Sequence, residues 1–281
     1  MPTIKRQSPT ATAPSQTATV PQSDDGWALS KGVKVLVYGR SGTGKTTFWA
    51  SFPGRILTLL CSGGKQPGEL RSINTPENRK KIDARVIRNT DQLRGMLETA
   101  DQYATVVLDH ASGLQDLTLK EILGLDELPV QKSWGMAGQQ QYGQSSLMVK
   151  ELLRSLLSLP QNVVIVGQER TFGGGDEAGT SDIIMPTVGA ALTPSVVGWL
   201  NPACDYVVQT YLRPRMVTAT TKVGEKQIVT STRGKGVEYC LRTEPHDVFT
   251  TKFRVPRGGK PLPECIVDPS YDKMMKLVQG A

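Results

Sequence analysis

Apolar runs alternate along the chain with segments of helical periodicity. The runs are short, rich in β-branched residues and closed by glycine or polar residues, which is typical of strands buried on both faces of a parallel sheet. Between them, apolar residues recur every three or four positions, as on one face of a helix. Together these patterns predict an α/β fold with a mostly parallel central sheet.

The predicted elements follow one another closely, and residues 65–81, which are polar and contain prolines, are interpreted as a loop. The predicted strands span residues 33–38, 55–60, 84–87, 104–109 and 162–167. The first predicted helix starts at Lys45, and two others cover 112–124 and 144–159. A further helix is predicted to run to Ala100 with Thr90 or Asp91 as its N-cap, and a short one to run towards Leu200 with Thr193 or Ser195 as its N-cap.

The two ends of the chain differ from this pattern. Residues 1–26 are rich in Thr, Ser, Pro, Gln and Ala and have almost no large apolar residues, so we expect a disordered tail before one folded domain at 27–281. From about residue 205 to the end, short β-rich segments separated by turns predict a C-terminal extension of β-hairpins appended to the parallel core. These segments are 205–212, 216–221, 227–232 and 237–242.

A glycine-rich motif joins the first predicted strand to the first predicted helix. Residues 39–46 fit G-x-x-x-x-G-K-[ST], and this strand–loop–helix context is the one that a phosphate-binding loop needs. The glycines allow backbone N–H groups to turn inward, and the helix N-terminus adds further unpaired N–H groups. Lys45 is predicted to reach the β- and γ-phosphates of a nucleotide, and the Thr46 hydroxyl to bind Mg²⁺. The predicted nucleotide-binding residues are Gly39, Arg40, Ser41, Gly42, Thr43, Gly44, Lys45, Thr46 and Thr47.

A second signal is the apolar strand that ends in Asp109. Parallel strands end together at the carboxyl edge of the sheet, so this carboxylate is expected beside the phosphate loop. There it would hold Mg²⁺ directly or through water. The alternative is an aspartate that only initiates the following turn. His110 comes next and is interpreted as a bystander or a γ-phosphate sensor.

Charge and cysteine content add weaker constraints. The 281 residues carry a net charge of +7, which permits a polyanionic partner such as nucleic acid without establishing one. The four cysteines are widely and irregularly spaced, so zinc and a disulfide framework are not indicated, and we expect reduced thiols in a cytoplasmic protein. No apolar run of about 18 residues predicts a membrane span, and no signal-peptide core is present at the N-terminus.

The order of these motifs resembles that of the RecA-like core ATPases. More closely, it is similar to phage-encoded RecA-like single-strand annealing or recombination ATPases. The resemblance extends over about residues 33–254 and rests on VYGRSGTGKTTF, TVVLDHASGLQDL, SWG at 133–135, LPQNVVIVGQER, DYVVQTY and YCLRTEPHDVFTTKFR. It implies a RecA-like P-loop core and an ATP- and Mg²⁺-dependent ATPase that binds single-stranded DNA as an oligomer or filament. It also implies the host-cell cytoplasm as location, with a phage or host single-strand-binding protein as a candidate partner.

The resemblance further implies a route from nucleotide to DNA. Gln168, at the end of a strand, matches the glutamine that couples the γ-phosphate to a DNA-binding loop, although it could simply be a capping residue. The following loop, 170–182, would then bind DNA, with Arg170 on a phosphate and Phe172 stacked on a base, unless it is a disordered loop.

A first DNA-binding loop would fall at residues 129–143 by the same resemblance. Lys132, Trp134 and Tyr142 are its weaker candidate contacts.

The resemblance also assigns a role to Lys252 and Arg254. These residues stand two apart on a predicted extended segment, so their side chains project to the same side. RecA-like filaments place such a basic pair against the ATP of the neighbouring subunit, where it acts as an arginine finger does. A solvated basic strand and a direct DNA contact are the alternatives.

The identity of the catalytic base is open in the sequence. RecA-like ATPases usually carry an acidic residue after the strand that neighbours the phosphate-loop strand. Here that place, residues 60–64, contains no carboxylate. Glu69 or Glu169 could substitute, and hydrolysis could be slow or depend on DNA or a partner.

Two other functions remain open at this point. One is a nucleotide-gated assembly protein that does not act on DNA. The other is a helicase or loader-type motor, for which no specific motif is present in the sequence.

Overall fold

A computed structural model describes residues 32–61, 68–125, 138–173, 186–223, 226–255 and 261–279. The predicted tail at 1–26 lies outside the described residues, as do Lys132 and Trp134. The side chain of Glu69 and the side chains of 217–231 are outside the description as well.

The described elements alternate between strands and helices up to α6, after which strands dominate. The strands are β1 (Lys34–Gly39), β2 (Ile56–Leu60), β3 (Ile82–Val86), β4 (Thr105–Asp109), β5 (Asn162–Phe172), β6 (Thr187–Ala190), β7 (Tyr206–Val223), β8 (Lys226–Arg242), β9 (Lys252–Phe253) and β10 (Cys265–Val267). The α-helices are α1 (Lys45–Ala50), α2 (Pro76–Lys81), α3 (Thr90–Glu98), α4 (Ala111–Ile122), α5 (Gln139–Leu157), α6 (Pro194–Ala203) and α7 (Tyr271–Val278), and 3₁₀ helices span Gly68–Ile73 and Ala100–Gln102.

The central sheet has the order β10-β8-β7-β1-β5-β4-β2-β3. The six strands from β7 to β3 are mutually parallel, whereas β8 and β10 continue the sheet in antiparallel fashion. Strand β6 pairs with the end of β5, and β9 with the start of β7, both antiparallel. This mixed, mostly parallel sheet confirms the predicted α/β fold class.

Two apolar cores cover the two faces of the sheet. On one face, Val35 and Val37 of β1 pack with Phe48 and Trp49 of α1 and with Met274 of α7. The other face carries the intervening residues of β1 and packs against α4, α5 and α6. Every residue of β1, β2 and β4 is buried, which explains their continuous apolar sequences. The first core therefore fixes α1 beside β1.

Several predicted boundaries were wrong for identifiable reasons. The four β-rich segments of the C-terminal part form two long strands, because the ladder between β7 and β8 absorbs Pro214 with a register shift before Met216. Strand β7 also pairs in parallel with β1, so its first half belongs to the core sheet. Within the predicted loop at 65–81 lie a 3₁₀ helix and α2.

The capping and strand-end predictions need similar correction. Asn89 caps α3, its side chain accepting a hydrogen bond from the N–H of Gln92 at 2.8 Å, so neither Thr90 nor Asp91 is the cap. Strand β5 continues to Phe172 because β6 provides hydrogen-bond partners for its last residues. In the part of the chain that the structure describes, no helix has the length and apolar content needed to cross a membrane.

Candidate nucleotide-binding site

The predicted phosphate loop lies between the carboxyl end of β1 and the first turn of α1. Gly44 precedes α1 with a φ of 93°, a backbone conformation that residues other than glycine rarely adopt. At Gly39 the requirement is space, because a Cβ there would lie 2.4 Å from the carbonyl oxygen of Thr210 in β7. The loop is also fastened from inside, since Thr43 Oγ1 donates to the Arg40 carbonyl at 2.8 Å and lies 2.7 Å from Thr210 Oγ1.

Lys45 points into the loop. Its side chain is largely buried, and Nζ donates to the carbonyl oxygens of Gly39 at 2.8 Å and Arg40 at 2.7 Å. Burial lowers the pKa of Lys45, while the nearby carboxylates of Asp109 and Glu169 act in the opposite direction. A concentrated positive charge thus lies among backbone N–H groups at a helix N-terminus, an arrangement suited to polyphosphate.

Asp109 lies at the carboxyl end of β4 and is 5% exposed. Its Oδ2 accepts a hydrogen bond from the indole Nε1 of Trp49 at 3.1 Å, which orients the carboxylate on the α1 side of the sheet. Sequence reasoning did not identify Trp49, because the two residues are distant in the chain and an apolar-looking helix position gives no sign of a polar contact. His110 caps α4 instead of projecting freely, its Nδ1 accepting from the N–H of Gly113 at 2.9 Å.

The donor atoms at this edge suit Mg²⁺. Asp109 and the half-buried Thr46 offer a carboxylate and a hydroxyl, the hard oxygen ligands that Mg²⁺ prefers. Within the described residues, no group of three or more His, Cys, Asp or Glu could hold a metal ion.

Strand β5 brings two adjacent polar residues to the loop. Gln168 is opposite Gly39 in the parallel ladder, on the face that carries α1, while Glu169 points to the other face. Glu169 accepts hydrogen bonds from Arg40 Nε at 3.0 Å and from Gln209 Nε2 at 2.8 Å. Gln209 in turn accepts from Arg242 Nε at 3.1 Å, so a polar chain extends from the loop across β7 to β8. Neither Gln209 nor Arg242 is among the site residues predicted from the sequence.

Beyond Gln168, β5 and β6 form an antiparallel ribbon. Arg170 is exposed, and its guanidinium carbon lies 5.5 Å from the ring centroid of Phe172, two residues further along the same face. The two predicted DNA contacts therefore lie together at the base of the loop whose residues 174–185 are outside the description.

Lys252 and Arg254 lie at the edge of the sheet where β1 and β7 begin, opposite the edge that carries the phosphate loop. Lys252 pairs with Val207 near the start of β7. Arg254 Nη1 contacts Asp205 Oδ1 at 3.1 Å, with 58% of the arginine side chain exposed. The pair is therefore separated by the length of β1 from the phosphate loop of its own chain.

The Lys252 ammonium group is bound within its own chain. Its Nζ donates to the carbonyl oxygens of Asn201, Pro202 and Cys204 at 3.2, 2.9 and 2.6 Å, which caps the C-terminal end of α6.

The strand order also corrects the search for a catalytic base. The neighbours of β1 are β5 and β7, and β4 and β5 separate β2 from the phosphate-loop strand. The end of β2 at Leu60 is therefore adjacent to Asp109, not to Gly39. Glu69 has no described side-chain position, so its predicted role stays a prediction.

Comparison with known proteins agrees with this architecture. Residues 31–255 match the model of a protein family described as an AAA domain. No curated protein matches the chain. Among solved structures, a KaiC-like protein from the hyperthermophilic archaeon Pyrococcus horikoshii OT3 shares 13% identity over 75% of this chain and 77% of its own, with a TM-score of 0.38.

A second similar structure is the flagellar accessory protein FlaH from Methanocaldococcus jannaschii. It shares 10% identity over 88% of this chain and 92% of its own, with a TM-score of 0.39.

Proposed function

The chain belongs to the AAA-domain family, and on this premise we propose that it is an ATP- and Mg²⁺-dependent ATPase that binds single-stranded DNA as an oligomer or filament. The observation that carries the proposal is the phosphate loop with its buried Lys45 beside the carboxylate of Asp109. Annealing or recombination of single strands is the activity that the sequence resemblance favours. Each further step below is part of this proposal.

ATP binding requires that Lys45 exchange its partners. Its ammonium group donates to two loop carbonyls, and phosphate oxygens would replace these as stronger, charged acceptors. The N–H groups of the loop and of the first turn of α1 would hold the β- and γ-phosphates. Thr46 and Asp109 would hold Mg²⁺, which when bound neutralises charge on the phosphate oxygens.

Coupling to DNA would follow β5. Gln168 shares the sheet face of α1 and is opposite Gly39, a position from which its amide can respond to the γ-phosphate. A change in this strand end is transmitted directly to Arg170 and Phe172, which continue the same strand. Arg170 would contact a DNA phosphate, and Phe172 would stack on a base.

Hydrolysis would need a second subunit. Arg254 and Lys252 lie too far from their own phosphate loop to act there, so a contribution from them must reach the ATP of a neighbouring copy. Arg254 suits this role better, because its side chain is 58% exposed and its ion pair with Asp205 lies at the surface. Lys252 would first have to leave three carbonyls at the end of α6.

Replacement of Lys45 tests the proposal. We expect Lys45→Ala to lower ATP affinity at least roughly tenfold, because charged hydrogen bonds to the phosphates are lost. We also expect it to abolish the ATP-dependent retardation of a labelled single-stranded oligonucleotide. Lys150→Ala, a lysine on α5 remote from the loop, is the matched control. Unchanged ATP-dependent DNA binding in Lys45→Ala would contradict the coupling.

A nucleotide-gated assembly protein is the second candidate. The observation that favours it is the set of large apolar side chains left exposed on the β7–β8 hairpin, including Met216 and Val237, which are 51% and 53% exposed. ATPase rates with and without single-stranded DNA separate the two functions. Stimulation by DNA supports the first, whereas indifference together with no oligonucleotide retardation supports the second.

A further inference from the structure

An aromatic side chain from β8 lies directly against the phosphate loop. A Cβ placed on Gly44 would be 3.1 Å from Cδ1 of Tyr239, so the ring is in contact with the residue that precedes α1. Tyr239 is nevertheless 41% exposed, which leaves part of its ring open to solvent. This contact joins two residues far apart in the sequence, and the phosphate-loop chemistry described so far makes no use of it.

The backbone around Tyr239 is held firmly. Its residue pair in the ladder is Leu212 of β7, and its neighbour Cys240 pairs with Val267 of β10 on the other side. Its own carbonyl accepts from the N–H of Asp268 at 2.7 Å. Because neighbouring strands fix β8 from both sides, the ring is presented from a rigid element.

The surface beside the ring is apolar and uncovered. Leu212 is directly across the ladder and 42% exposed, and Val237, two residues before Tyr239 on the same face, is 53% exposed. An exposed aromatic ring flanked by aliphatic side chains is the type of surface on which a flat heterocycle packs.

The position of Tyr239 beside the phosphate loop indicates which heterocycle would pack on its ring. In a phosphate loop the backbone N–H groups hold the α- and β-phosphates and the lysine reaches the β- and γ-phosphates, so the nucleoside is expected beyond the α-phosphate, beside the loop; Gly44 is the last loop residue before α1. Tyr239 touches that same residue. We infer that Tyr239 is the stacking platform for the nucleobase of the nucleotide held by the loop, with Leu212 and Val237 beside it.

This inference rests on the proposed nucleotide binding and adds a statement about specificity. Stacking uses the π face that every base has, so it discriminates weakly between them. We therefore expect ATP and GTP to bind with affinities within about tenfold of each other.

The test separates base from phosphates by using inorganic tripolyphosphate, which has no base. We expect Tyr239→Ala and Tyr239→Leu to weaken ATP binding roughly tenfold, since base–aromatic stacking is lost, and to leave tripolyphosphate affinity unchanged. Tyr239→Phe and Tyr239→Trp keep an aromatic face and should bind ATP like the wild type. Leu147→Ala, at a position 68% exposed on α5, is the control. Isothermal titration calorimetry measures both ligands.

Two results would overturn the inference while leaving nucleotide binding intact. One is equal weakening of ATP and tripolyphosphate in Tyr239→Leu, which would mean that the ring only supports the loop. The other is wild-type ATP affinity in Tyr239→Ala. Failure of the wild-type protein to bind either ligand would instead refute the proposed function itself.

Discussion

A buried lysine lies beyond or at each end of β1: Lys34 is the first residue of the strand, and Lys45, after the phosphate loop, is the first residue of α1. Lys34 and Lys45 are 6% and 8% exposed, and burial lowers the pKa of both. Each ammonium group donates to two backbone carbonyls, those of Leu159 and Gln161 for Lys34, and those of the loop for Lys45. Burial and hydrogen bonding alone would therefore assign the two residues the same role.

The difference lies in what else converges on each lysine. Around Lys45 are glycines, N–H groups at a helix start and the carboxylate of Asp109. Around Lys34 are carbonyls from the turn after α5 and the carboxylate of Asp205, which accepts from the Lys34 N–H at 2.9 Å and contacts Arg254. The end near Lys45 can therefore bind an anion, whereas the end at Lys34 presents the guanidinium group of Arg254 to a second molecule. The N–H groups beside Lys45 are thus what makes this buried lysine suited to bind an anion.

The largest expected effect comes from replacing Arg254, which tests whether this residue reaches the phosphate loop of a neighbouring subunit. Arg254→Ala should lower the ATPase rate roughly 10³-fold, as loss of an arginine finger does, with ATP affinity little changed. Mixing it with Lys45→Ala should restore activity at shared interfaces, where one subunit supplies the loop and the other the arginine. Steady-state ATPase assays on the single variants and the mixture measure this. An undiminished rate in Arg254→Ala would exclude the role.

A smaller effect separates the two lysines. Lys34→Met leaves the carbonyls of Leu159 and Gln161 without their donor, which should cost about 2 kcal/mol and lower Tm by roughly 5 °C while ATP affinity is retained. Lys273 donates to two carbonyls at 2.8 and 2.9 Å but on the surface, so Lys273→Met is the matched control and should shift Tm very little. Calorimetry and ATP titration distinguish the outcomes. Loss of ATP binding in Lys34→Met would contradict the assignment of a structural role to Lys34 and a binding role to Lys45.

The smallest effect concerns the thiols at the two edges. Burial raises the pKa of Cys61, next to Asp109, and of Cys204, next to Asp205, to about 12 in each case. Since only the thiolate reacts, both should resist iodoacetamide in the native protein at pH 8, whereas the partly exposed Cys265 should react first. Mass spectrometry of samples taken at successive times gives the order in which the cysteines are alkylated, and the unfolded protein serves as the reference. Early labelling of Cys61 alone would show that the nucleotide edge opens.

The sequence was sufficient for features set by local patterns. Continuous β-branched runs predicted β1, β2, β4 and β5 because strands buried on both faces leave no polar positions. The phosphate loop was recognisable because its glycines, Lys45 and Thr46 are consecutive. Asp109 followed from the rule that parallel strands end at one edge.

What the sequence could not predict depends on long-range pairing. Strand order separates β2 from β1, and nothing in either strand encodes that order. The contacts of Trp49 with Asp109 and of Tyr239 with Gly44 join residues that only the folded sheet brings together. A turn is predicted between the segments 205–212 and 216–221, whereas β7 continues through Pro214, because the compensating register shift depends on the partner strand.

The alternation of side chains along β5 has a consequence for how this site could change in evolution. Gln168 and Glu169 are adjacent, but the pleat assigns them opposite faces, and β1 and β4 hold β5 in register from both sides. Inserting one residue at the start of β5 would exchange the amide and the carboxylate, and it would also move the apolar residues of the strand from one core to the other, where their packing partners differ. The hydrophobic packing of β5 thus protects which of the two groups lies on the face of α1, because exchanging them by a register shift would require new packing along the whole strand.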